Sequence, residues 1–221
     1  MTIAAFETPR RLAQRARHAA LLGAGALALS LAGCATQGTE DTRYTLPDDP
    51  LSDDRAAAEA VGDFDGSVWL SPLSLTSYLD DQGIVMQLDD IRIHQARHHL
   101  WAEPLDSQLM RQLRERLSAA LPEADILRRG QTAQAASPAL HVDLRVERFQ
   151  GRDDGMAVVG GDWRIRDAQD RTLSRESFAI ERPLDSNGYP ALVRALGGAW
   201  DTLGERLAEA LTQAGTRATS D

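Results

Sequence analysis

Between His94 and Asp106 the chain gathers three imidazoles, a tryptophan and two carboxylates, the side chains that bind metal or carry protons. His94 and His98 are four apart, a spacing that on a helix would put two imidazoles on one face for zinc. The residue after His94 is Gln95, where a zinc protease of this pattern places a glutamate base. The run Ile91-Arg92-Ile93-His94 alternates as a strand does, so His98 and His99 are expected to point to opposite sides. A solvent-facing or hydrogen-bonded role for these histidines outweighs a metal site.

Other chemistries fail on residue type. No G-x-S-x-G elbow is present for a serine hydrolase. All 24 basic residues are arginine, which excludes a P-loop lysine, a pyridoxal Schiff base and a lysine general base. The pairs Asp80-Asp81, Asp89-Asp90 and Asp153-Asp154 border glycines or turns and read as solvated turn residues rather than paired catalytic carboxylates. Gly23 to Ala28 imitates a dinucleotide fingerprint, but no strand precedes it. No catalytic residue, metal or cofactor is therefore expected.

The single cysteine carries more information. Arg10, Arg11, Arg15 and Arg17 form a positive segment, and Ala19 to Ala32 form an apolar run too short for an ordinary membrane span. Leu31-Ala32-Gly33-Cys34 then matches a bacterial lipobox. Residues 1–33 read as a lipoprotein signal peptide, Cys34 as the site of covalent lipid attachment, and 34–43 as a tether. One acyl chain holds a protein to a bilayer only marginally, whereas the several chains of a lipoprotein hold firmly. Ala35, in place of an aspartate retention signal, points to the outer membrane, with the domain in the periplasm.

Removing the leader takes away four arginines and one glutamate, leaving 20 basic against 32 acidic residues and a net charge near −12. Such a surface repels phosphate backbones, so nucleic acid is excluded as a partner. The remaining chain is long enough for one domain held by its core alone, since the thiol is consumed by lipid.

The elements that must position these residues follow from periodicity. The acidic stretch 47–66 reads as a flexible loop. "SVWLSPLSL" reads as a strand or edge strand interrupted by Pro72, and "GIVMQL" and "IRIHQA" as a hairpin turning at Asp89-Asp90. "ALHVDLRVERF", "VVGGDWRIRD" and "SFAIER" alternate into an antiparallel meander with one wet face. Leu105, Leu109, Leu113 and Leu117 mark one helix, and Leu192, Val193, Leu196, Trp200, Leu203, Leu207 and Leu211 a second. The fold class is α+β: a mixed or antiparallel sheet with two long helices packed on one face, as a single domain over 44–215, followed by a disordered tail at 216–221. Pro104 opens the first helix and Trp101 closes the preceding strand, so the histidine-rich stretch is a strand-to-helix corner. There Trp101 plugs the end of the core or lines a surface pocket, the first being favoured.

"HHLWAEPLDSQLMRQLRERL", preceded by "YLDDQGIVMQL", resembles the ABC-type transport auxiliary lipoprotein family, with the core Trp101, Ala102, Glu103, Pro104 and Leu105 intact. The resemblance extends through "RYTLP", "ALHVDLRVERFQG", "GDWRIRDAQ" and "GYPALVRALGGAWDTLGERLAEAL", with departures at Asp81 and Gln82. It implies a non-enzymatic lipoprotein serving a lipid-transport system whose periplasmic protein carries MCE domains. In that role it docks the periplasmic conduit at the outer membrane and supports envelope integrity, and residues 101–105 become a candidate partner-binding motif. A stand-alone carrier of a lipid or small apolar ligand and an envelope hydrolase are the competing readings. Whether the chain forms a homo-oligomer is left open by the sequence.

Overall fold

The structure is a computed structural model and describes residues 40–47, 62–128, 131 and 138–220. The lipobox, Cys34 and most of the acidic stretch, 48–61, lie outside the described residues.

The organising element is one long strand. β7 (Ala139–Arg152) alternates Leu140, Val142, Leu144 and Val146 into the core, and all four are buried. Between Val146 and Arg148 the pairing slips by one residue. That bulge switches the parity of the inward positions, which is how Phe149 comes to face the core on an odd number. Gly161 lies opposite Val146, where an added Cβ would stand 2.0 Å from the Arg145 carbonyl oxygen. Only glycine permits that approach.

One edge of β7 pairs antiparallel with β8 (Met156–Asp167), which pairs with β9 (Thr172–Pro183), giving the expected meander. The other edge takes three short strands end to end, all parallel to it: β2 (Ser67–Leu70), β3 (Ser74–Leu75) and β4 (Gly83–Gln87). Pro72 falls in the gap between β2 and β3, where no ladder bond is asked of it. β2 is not an edge strand, because β6 (Asp125–Arg128), a strand that the period-2 pattern did not reveal, pairs on its far side. β4 turns back into β5 (Ile93–Trp101), and β1 (Thr42–Tyr44) adds in parallel to the last three residues of β5. The nine-stranded sheet is mixed.

Two helices cover one face. α1 (Leu105–Ala120) and α2 (Tyr189–Ser220) pack on each other, and α2 lies along β7, β8 and β9. Every apolar residue used to recognise the two helices is buried. The Trp200 indole N–H donates to the Leu109 carbonyl at 3.0 Å, fixing the helices to one another, and Arg116 pairs with Glu205 beside it. No helix among the described residues is long and apolar enough to cross a membrane.

Two expectations are corrected. Phe64, assigned to the solvated stretch, is buried against Gly215 of α2, because the chain must re-enter the core to begin β2. Residues 216–220, expected as a disordered tail, continue α2, with Thr216 and Thr219 hydroxyls donating to carbonyls one turn back and Arg217 donating to the Leu173 carbonyl.

Candidate functional site

The histidine-rich stretch is the strand-to-helix corner where β5 ends and α1 begins. Trp101 is 2% exposed, its ring 6.0 Å from Phe149, which in turn meets Trp200 edge-on at 6.1 Å. It therefore plugs the core and supports the corner from within. Leu105 is buried as well, while Ala102 and Pro104 are exposed.

The corner is tied down by its polar groups. The Trp101 N–H donates to the Gln82 carbonyl and the Ala102 N–H to the Tyr44 carbonyl, both at 2.8 Å. Arg111, two turns into α1, grips Glu103 with both guanidinium nitrogens, at 2.6 and 3.2 Å. Those bonds hold the Glu103 carboxyl below the usual carboxylate range. Gln108 and Gln112, polar yet buried, face the segment after β1: the Leu46 N–H donates to Gln108 at 2.9 Å, and Gln112 donates to the Pro47 carbonyl at 3.0 Å. Backbone partners offset the burial of these amides, although the Gln112 Oε1 has no partner among the described residues.

His98 and His99 diverge, as successive strand residues must. His98 meets Asp41 at 3.0 Å on the solvent side. His99 Nδ1 and the Tyr44 hydroxyl share a hydrogen bond at 3.0 Å, and the imidazole stacks on Tyr189 at 4.0 Å, with Tyr44 and Tyr189 rings 6.5 Å apart. Burial raises the Tyr189 pKa, and Tyr44 adds to the effect. Three segments far apart in sequence, "RYTLP", "HHLWAEPL" and "GYPAL", thus converge on one half-buried aromatic cluster. Residue-by-residue reading missed it, because Tyr44 and Tyr189 carry no periodicity; their presence in separately recognisable motifs was the available signal.

Among the described residues, no group of three or more His, Cys, Asp or Glu is placed to hold a metal. The pair Asp41–His98 and the pair Tyr44–His99 lie on opposite sides of β5 and do not share a substrate position. Asp89 and Asp154, from two of the adjacent carboxylate pairs, are occupied by Arg92 and Arg152 in turns. Between sheet and helices, Leu109, Leu113, Trp163 and Trp200 are each 1% exposed or less. Among the described residues, open clefts mark the surface at two places. One of about 370 Å³ includes Asp143, Arg164 and Arg175 on the wet face, and one of about 590 Å³ lies between Pro72 and α1, with Arg111, Arg114 and Arg128.

The family model for ABC-type transport auxiliary lipoprotein components matches residues 44–208. The intermembrane transport lipoprotein PqiC of Escherichia coli K12 is 31% identical over 173 residues, covering 78% of this chain and 87% of that protein, and PqiC of Shigella flexneri gives the same figures. A crystal structure of an uncharacterised protein superposes with a TM-score of 0.63 at 26% identity, covering 78% of this chain and 99% of the other. A Xanthomonas campestris protein shares the fold, with a TM-score of 0.63 at 14% identity over 82% of this chain and 98% of its own.

Proposed function

This chain belongs to the ABC-type transport auxiliary lipoprotein family, and from that premise we propose that it is the lipid-anchored docking component of an MCE-type intermembrane lipid transport system. Anchored through Cys34 at the periplasmic face of the outer membrane, it receives the end of a periplasmic conduit and so supports envelope integrity. Family membership over nearly all of the domain is the observation that carries this reading.

The surface assigned to docking is the Tyr44–His99–Tyr189 cluster with its exposed neighbours Ala102 and Pro104. Tyrosine is enriched at interface centres because it brings apolar area and a hydrogen bond at small entropic cost. Glu103, locked by Arg111, gives this surface a fixed edge. The alternative, a carrier holding an apolar ligand between sheet and helices, would need space that Leu109, Leu113, Trp163 and Trp200 fill.

The test is affinity capture of the tagged, detergent-solubilised lipoprotein from its own envelope, with mass spectrometry of proteins and extracted lipids. An MCE-domain protein is expected with the parent chain and is lost with the Tyr44→Ala/Tyr189→Ala double variant, whose melting curve shows that it folds. Undiminished capture by that variant takes the docking surface away from this corner. Recovery of the lipoprotein alone with a stoichiometric lipid replaces docking by carriage.

A further inference from the structure

Among the described residues the exposed large hydrophobic side chains are Leu88, Ile91 and Ile93, and all three belong to the tip of the β4–β5 hairpin. Ile91 is 86% exposed. The tip is not a loose loop that could fold its apolar groups away. Asp89 accepts hydrogen bonds from the Ile91 N–H at 3.1 Å and the Arg92 N–H at 2.8 Å, and pairs with the Arg92 guanidinium at 2.5 Å. The Leu88 N–H closes the turn on the Arg92 carbonyl at 2.9 Å. Asp89 and Arg92 cancel, leaving Asp90 as the net charge of the turn itself.

The chain enters the domain along the same strand. β1 is parallel to β5 and covers only His99 to Trp101, so Asp41, the residue before β1, lies toward the Ile93 end of β5, beside His98. Five residues lie between Cys34 and Glu40, a span of at most about 20 Å when fully extended. From His98 back to Ile93 is roughly 17 Å of strand. The tether is therefore long enough for a membrane that holds the acyl chains of Cys34 to touch the hairpin tip.

We propose that this tip is a second membrane contact, in which Leu88, Ile91 and Ile93 enter the leaflet that anchors Cys34. The inference rests on the lipid-anchor reading above. Contact of this kind scales with the apolar area buried and orients a domain whose single anchor would otherwise leave it free to tumble. The flanking charge selects the lipid. The β7–β8 turn stands at the same end of the sheet, because Gln87 pairs with Arg152, and it adds Asp153 to Asp90, Asp154 being paired with Arg152. Anionic headgroups are repelled by such a rim, so the leaflet is zwitterionic.

Lipid consumes the native thiol, so Ile91→Cys supplies one labelling site. Ala168→Cys, in the β8–β9 turn at the opposite end of the meander, is the control. Each full-length lipidated chain is labelled with an environment-sensitive fluorophore in phosphatidylcholine vesicles, and quenching by brominated acyl chains is read after flotation. The label at 91 is expected to shift to the blue and lose most of its emission, the label at 168 to do neither, and added phosphatidylglycerol to weaken the response at 91. Floated protein whose label at 91 behaves like that at 168 overturns the tip contact alone. A blue shift that ignores brominated lipid and grows with protein density gives the tip to a second copy of the chain and overturns the proposal. Failure to float overturns the anchor reading and the tip contact with it.

Discussion

The two ends of β5 are built from similar residues and meet opposite fates. At its C-terminal end Trp101 is 2% exposed, with β4 on one edge of the strand and β1 on the other; at its N-terminal end Ile93 is 47% exposed with β4 alone beside it. Alternation along a strand tells which residues share a face, and only the neighbouring elements decide whether that face is covered. At the corner, β1, α1 and the start of α2 converge to cover it. At the hairpin tip nothing within the described residues does, and the apolar groups stand in water until something outside the domain meets them.

The largest effect that would sharpen this contrast is that of Trp101→Ala. The indole ring contacts Phe149, which contacts Trp200, so its removal opens a cavity that reaches toward both helices. A loss of about 3–5 kcal/mol is expected in urea unfolding, the usual cost of truncating a buried aromatic. A loss under about 1 kcal/mol would mean that the corner collapses around the gap and is not a fixed platform.

Tyr189→Ala comes next. It removes the ring stacked on His99 at 4.0 Å without opening the core. Stability is expected to fall by about 1 kcal/mol, the scale of one aromatic pair, while partner capture falls much further. Equal losses in stability and capture would reduce the aromatic cluster to a structural prop.

Much of this was legible in the sequence, and the failures share a cause. Period-3.6 stripes located both helices, and period-2 runs located the meander and the hairpin, because each buries a continuous face. The alternation of Leu140 to Val146 held until the bulge, which no residue type announces. β6 is four residues long and has a partner on one side only, too short a run for periodicity to register. The burial of Gln108 and Gln112 has no local signal, since what makes them interior is the backbone of Leu46 and Pro47, some 60 residues away in the chain. Trp101 was correctly favoured as a core plug, since its ring is buried and packs on Phe149. The aromatic cluster depends on three distant segments meeting, which one-dimensional spacing does not express.

A smaller effect comes from Glu103, whose carboxyl Arg111 holds below its ordinary value of 4.5. A depressed folded-state pKa contributes stability that is complete above the ordinary value and is lost as pH falls through the folded one. The pair is more than a third exposed, so solvent screens it and Glu103→Gln is expected to cost well under about 1 kcal/mol at neutral pH. Comparing parent and variant unfolding between neutral pH and pH 3 checks the sign: the gap should close on the acid side. A gap that widens in acid would show that the carboxylate is not what fixes the corner.

The smallest expected effect tests the other end of the strand. At 86% exposure, Ile91 gives the fold almost nothing, since its side chain is in water in both the folded and the unfolded chain. Ile91→Ser should therefore leave urea unfolding of the detergent-solubilised protein within about 0.5 kcal/mol of the parent, as surface changes do. The turn survives the change because its hydrogen bonds run from backbone N–H groups to Asp89 and never involve the isoleucine side chain. A loss above about 1 kcal/mol would mean that the tip packs within the domain, and the contrast between the two ends of β5 would fail. Neutrality in stability makes the variant a clean probe of the membrane, because any change in its behaviour on vesicles then arises from what the tip touches outside the fold.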